Sequence, residues 1–225
     1  MNVPEAVNGR RSIRAFLPTP VPGDTIRRVI ETAARAPSGG NLQPWHIDVM
    51  AGEPLAALKA TMARQLQAGA APEWEYDVYP KQLPSPWRDR RFQVGEAMYA
   101  RLGIPRDDKP ARLRWFARNY DFFGAPMALF CSVDRRMGPP QWADLGMYLQ
   151  TVMLLLRAEG LDSCPQECWA AYPGVVGAAL QLPDSRMLFS GMAIGYRDPA
   201  HPVNELVADR APAHEWARFI GLQED

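Results

Sequence analysis

The sequence predicts one sheet whose strands alternate with helices, an α+β or α/β class, and three observations carry that expectation. Four apolar runs of strand length, at 45–50, 127–133, 161–164 and 187–195, are separated by stretches of helical spacing. The longest helical stretch, 139–159, repeats Leu145, Leu149, Val152, Met153 and Leu156 at three and four residues and carries apolar side chains on more than one face, which suits a central, buried helix. A chain of 225 residues that is 47% hydrophobic buries roughly 70% of the surface its unfolded form exposes, enough for one sizeable core.

The elements follow in order. Ile26, Val29, Ile30 and Ala33 mark a helix over 24–36, with Asp24 as candidate cap and Pro37 as stop. A polar turn at 37–41 leads into the strand at 45–50, and a second helix spans 53–68. Residues 70–91 are rich in Pro, Trp and Tyr without a period and form an excursion, or lid, extending to about residue 92. Helices follow at 94–102 and 108–120, before the strand at 127–133. Gly160 stops the long helix. A short strand, a helix over 173–180 and the strand at 187–195 come next, and a Pro-rich arm from about 197 to 225 ends in a helix around 213–219. The whole, 1–225, reads as one domain.

Composition narrows the function. The 25 basic and 25 acidic residues balance, so no global field draws in nucleic acid or an anionic membrane surface, and any anion site must be local. The opening residues lack the apolar core of a signal peptide, and no apolar run approaches the ~20 residues that span a bilayer; the expected location is the cytoplasm. Cys131, Cys164 and Cys168 form an odd set without metal-like spacing, and His46, His201 and His214 are scattered, so neither a metal site nor a catalytic triad is indicated. The chain also lacks a G-x-G-x-x-G dinucleotide fingerprint and a phosphate-binding P-loop.

Two short motifs carry the chemistry. In Arg10-Arg11-Ser12-Ile13-Arg14, an extended backbone points Arg10, Ser12 and Arg14 one way and Ile13 the other, so that two guanidinium forks and a hydroxyl converge on one phosphate. Taken alone, so short a run reads first as a solvated basic patch. In Ser38-Gly39-Gly40-Asn41-Leu42-Gln43-Pro44-Trp45, small residues admit a ligand to the backbone and the amide side chains offer donors and acceptors to a heterocycle.

In this order the two motifs resemble the opening of the nitroreductase family, where R-R-S-x-R precedes a helix and a P-S-x-x-N-x-Q-P-W loop. The resemblance continues through Gly160-Leu161-Asp162-Ser163-Cys164-Pro165-Gln166-Glu167, similar to the family's segment beside its flavin, and through Gly191 to Tyr196, Pro202-Val203-Asn204 and Arg210-Ala211-Pro212. Tyr79-Pro80, 88–91, Leu102-Gly103-Ile104 and 119–126 look most like the nitroaromatic and nitrobenzoate reductase branch. Cys168 departs from the pattern, standing where a glycine often follows the glutamate.

The resemblance implies an α+β fold with a central mixed, mainly antiparallel sheet flanked by helices, in a domain-swapped homodimer that holds FMN between its subunits. It implies that Arg10, Arg11, Ser12 and Arg14 hold the phosphate and ribityl chain with Arg210. Pro37, Ser38, Gly39, Asn41 and Gln43 would come from the partner chain, and Pro165, Gln166, Glu167 and Cys168 would border the isoalloxazine, a backbone N–H facing N5. Trp74, Tyr79, Trp87, Phe122 and Phe123 are candidates to stack on a planar small-molecule acceptor; ordinary packing is the alternative for each. No side chain is assigned as catalytic, because the flavin takes a hydride from NADH or NADPH and passes electrons on in a ping-pong cycle. Dehalogenation, quinone or enone reduction, flavin degradation and ring dehydrogenation are rivals within the family. A non-catalytic FMN-binding protein and an interaction domain with a phosphate-docking patch are rivals outside it.

Overall fold

The computed structural model describes residues 1–222. Its four strands are β1 (His46–Ala51), β2 (Met127–Asp134), β3 (Asp162–Gln166) and β4 (Arg186–Gly195), hydrogen-bonded in the order β1-β2-β4-β3 with every pair antiparallel. β2 is buried from Met127 to Val133, as a continuous apolar run between two layers should be. Seven α-helices are present among the described residues: α1 (Val3–Gly9), α2 (Gly23–Ala33), α3 (Gly52–Gln67), α4 (Trp87–Arg101), α5 (Lys109–Ala117), α6 (Pro139–Ala158) and α7 (Pro173–Leu180).

Strand alternation divides the core. Leu129, Cys131, Val133, Met192 and Ile194 face α2 and α6, while Ala128, Phe130, Leu188 and Ala193 share the other face with Leu55, Leu58 and Met62 of α3 and Val176 of α7. α6 is the buried central helix, ended by Gly160 at φ +74°, where the Leu161 N–H returns to the Leu156 carbonyl. The N-terminal segment runs beside β3 through a parallel bridge between Ser12 and Ser163, and this bridge is the one parallel element in an otherwise antiparallel arrangement among the described residues.

Several elements differ from expectation for local reasons. Asp24 does not cap α2: Pro22 holds the cap position without a side-chain bond, and Asp24 lies in the first turn, where its charge complements the helix dipole. The helix expected over 108–120 ends at Ala117, because Phe122 and Phe123 turn left-handed and the chain tightens into 3₁₀ turns over Arg118–Gly124. α4 begins at Trp87, seven residues before its predicted start at Val94, and buries none of its residues, so no apolar stripe advertised it. Among the described residues the arm forms two short 3₁₀ turns, Pro202–Glu205 and Ala213–Glu215, in place of a terminal helix around 213–219. α1 was not anticipated, although Asn2 and Glu5 write its capping box into the sequence. No described helix is long and apolar enough to cross a membrane.

Candidate active site

β3 leaves the sheet at Gln166, and the chain turns through Glu167–Ala171, so Pro165, Gln166, Glu167 and Cys168 are set at the sheet's edge with their backbone open to one side. There they form one wall of a cavity of about 550 Å³, a volume within the range of small-molecule sites. Trp115, Phe116, Asn119 and Phe123 also line it, as do Trp74, Tyr76, Asp77, Val78 and Tyr79 of the excursion, Arg91, Met98 and Tyr99 of α4, and Arg14.

The wall is anchored from behind. Gln166 is buried and donates from Nε2 to the Asn119 backbone oxygen at 2.7 Å and to Asn119 Oδ1 at 3.2 Å, which fixes its amide plane. Trp169, fully buried, stacks on Phe122 with centroids 4.6 Å apart and meets Tyr120 and Phe130 edge-on. Phe122 and Phe123 hold φ of 51° and 55°, a region costly for side chains of this size; packing and the bonds from Phe16 N–H to the Phe123 carbonyl and from Ala125 N–H to the Phe122 carbonyl hold them there. At the start of β3, the buried Asp162 carboxylate accepts from Arg157 at 2.7 Å and from Arg197 at 2.6 and 2.7 Å, tying α6, β3 and the end of β4 together. Burial pushes the Cys168 thiol up to about 12, so it is neutral at physiological pH. The Tyr76 hydroxyl donates to the Phe189 carbonyl, and burial raises its pKa also.

Arg14 connects the cavity to the N-terminal basic segment. Ile13 is fully buried and donates its N–H to Ser163, so the segment is extended as expected and its arginines face away from the core. Desolvation lowers the pKa of Arg10, and the charge of Arg210 lowers it further; Arg10 and Arg14 in turn both act on buried Cys164. Among the described residues no carboxylate forms an ion pair with Arg10, Arg14 or Arg210; partly exposed Arg11 adjoins them. Arg210 thus lies near enough to Arg10 for their charges to interact, Arg10 and Arg14 share Cys164 as a neighbour, and guanidinium forks of this kind suit a phosphate.

Other anticipated residues lie elsewhere. Pro37, Ser38, Gly39, Asn41 and Gln43 do not line this cavity: the loop sits over α6, where both oxygens of buried Asp144 accept from the Gly39 N–H at 3.3 Å. Gly40, Asn41 and Gln43 are all left-handed, a shape supported by the Gln43 N–H donating to Ser38 Oγ at 3.0 Å. Trp74, Tyr79 and Phe123 line the cavity as expected, but Trp87 starts α4 exposed and outside it, and Phe122 is core, packed under Trp169. Arg91 and Asn119 fall in the segments 88–91 and 119–126 that resemble the nitroaromatic reductase branch, without a site role assigned there; Tyr76, Trp115 and Phe116 carry no sequence assignment, since each lies on an element without clear periodicity.

Comparisons with known proteins place the fold in a family. The model of the nitroreductase family matches residues 7–196. The 4-nitrobenzoate reductase of Pseudomonas putida is 37% identical over 96% of this chain and 94% of its own, and the nitrobenzene nitroreductase of Ectopseudomonas oleovorans is 35% identical over 97% and 96%. The crystal structure of the FMN- and NADPH-dependent nitroreductase NfnB from Sphigopyxis sp. strain HMH superposes with a TM-score of 0.96 at 50% identity, covering 99% of this chain and 100% of that one. With a family model spanning most of the chain and relatives of this identity over nearly its full length, the protein belongs to the nitroreductase family.

Proposed function

We propose that the protein is an FMN-dependent oxidoreductase that draws electrons from NADPH or NADH and reduces nitroaromatic acceptors. The observation that carries this reading is the junction of an uncompensated arginine cluster with an aromatic-walled cavity: one end suits a phosphate, the other a flat ring system. Relatives described as FMN- and NADPH-dependent nitroreductases and as nitrobenzoate and nitrobenzene reductases support it.

Arg10, Arg14 and Arg210 would hold the FMN phosphate with Ser12, and Arg14, which lines the cavity, would continue the contact toward the ribityl chain. Pro165, Gln166, Glu167 and Cys168 would lie along the isoalloxazine. Bound there, FMN supplies a two-electron relay from nicotinamide to acceptor. The side chains position rather than react: the neutral Cys168 thiol adds no nucleophile, Trp74, Tyr76, Trp115 and Phe123 exclude water and stack a planar acceptor, and one cavity serves nicotinamide and acceptor in turn.

A homodimer completes the site in this reading, each chain forming one domain. Trp216, Phe219, Ile220 and Leu222 of the arm are 71%, 70%, 76% and 71% exposed, an apolar run that a second copy would cover. The loop 37–43, left-handed at Gly40, Asn41 and Gln43 and not among the residues lining its own chain's cavity, would then border the partner's flavin. The test is an anaerobic absorbance series on the purified protein: flavin bands that bleach with NADPH or NADH and recover with 4-nitrobenzoate establish the cycle. Flavin that neither nicotinamide reduces, or protein that takes up no FMN, overturns it.

A further inference from the structure

Of the arginines that open α4, Arg88 is bonded to Asp89 at 3.1 Å and Arg90 to Glu215 at 2.6 Å. Arg91 has no ion pair among the described residues, and it is the one that lines the cavity. Its guanidinium carbon lies 4.2 Å from the centroid of the Tyr79 ring. Stacking of this kind fixes the plane of the fork and leaves its N–H edges free for an in-plane acceptor. Asp77 and Glu167 share the cavity, yet neither is paired with Arg91.

We infer that Arg91 selects acceptors bearing a carboxylate on the aromatic ring, receiving that group at the rim while the ring stands among the aromatic walls. The inference rests on the assignment of this cavity to the acceptor. A planar carboxylate offers the guanidinium fork two anionic oxygens at its own spacing, whereas nitrobenzene offers only its nitro group, which is neutral overall and is itself the group to be reduced. Tyr79 positions the arginine, so loss of the ring loosens the fork without removing its charge.

The experiment compares Arg91→Gln, Arg91→Lys and wild type, each loaded with FMN and its rates normalised to flavin absorbance, on 4-nitrobenzoate and on nitrobenzene. Arg91→Gln should lower kcat/KM for 4-nitrobenzoate at least tenfold more than for nitrobenzene, through KM, with Arg91→Lys intermediate because it keeps the charge but not the fork. Benzoate binding to the FMN-loaded protein, measured by calorimetry, should weaken by the same factor and needs no turnover. Equal loss on both acceptors with unchanged benzoate binding overturns the inference. So does a larger change in KM for NADPH than for NADH, which would give Arg91 to the nicotinamide phosphate. If wild type reduces neither nitroarene, the functional reading fails, while the calorimetry still decides whether Arg91 binds a carboxylate.

Discussion

Gly191 lies against the indole of Trp169 so closely that a β-carbon on it would stand 2.6 Å from Trp169 Cδ1 and 3.1 Å from Cγ. Gly191 pairs with Phe130 in mid-sheet and with Gln166 in β3, and Trp169 follows the cavity wall by one residue. The indole has nowhere to retreat, being fully buried and stacked on Phe122. Gly191→Ala should therefore cost about 1–3 kcal/mol by overpacking and displace the wall at 165–168. Urea unfolding reads the first effect, and FMN affinity of the folded variant the second; a variant with wild-type stability would mean that Trp169 moves freely.

Asp162 is the second structural commitment. Its carboxylate is 3% exposed and faces two guanidinium groups, so Asp162→Asn leaves Arg157 and Arg197 short of a counter-charge in the interior. The expected loss is roughly 3–5 kcal/mol, seen as a lower urea midpoint. The control is Asp134→Asn: the Arg136 guanidinium holds the Asp134 carboxyl well below the usual carboxylate range, but Arg136 is 87% exposed and the pair is screened, so the midpoint should stay within error of wild type.

These positions mark where sequence was readable and where it was not. β2, α6 and α7 announce themselves through continuous apolar runs or unbroken helical spacing, and their ends fall within a residue or two of expectation. α4 and the cavity roles of residues 76, 91, 115 and 119 were illegible because these segments follow no period, and α4 buries none of its residues; they are placed by contacts to distant segments, such as Gln166 to Asn119. The Arg10 to Arg14 motif could be read because alternation alone fixes its geometry, and buried Ile13 opposite the arginines is what that alternation requires. The loop 37–43 was legible as motif but not as position, since its three left-handed residues and the bond from the Gly39 N–H to Asp144 of α6 leave no periodic signal in the sequence.

The Cys168 thiol gives a pH-dependent readout. Burial raises it to about 12 from an ordinary value near 9, so the folded protein holds this proton where the unfolded chain releases it. The stability this contributes is fully present below about pH 9 and is lost as pH rises toward 12. Native protein at pH 8 should alkylate slowly with iodoacetamide at Cys168 and rapidly once unfolded in urea, followed by peptide mass spectrometry. Fast native labelling would show a thiolate in the cavity and a different role for the residue.

The arginine cluster should respond with opposite signs in its two states. Without an anion, Arg10 is desolvated beside Arg210, and both costs disappear when its charge is removed. Arg10→Gln should thus leave the FMN-free protein as stable as wild type or more so. The same substitution removes a charge-assisted contact to phosphate, so FMN should dissociate roughly tenfold more readily. Because Arg210 is exposed, the remaining affinity should fall as salt rises. Thermal unfolding with and without FMN, together with a fluorescence titration of FMN at two ionic strengths, measures all three. A variant destabilised equally in both states would assign Arg10 to the fold instead of to the phosphate.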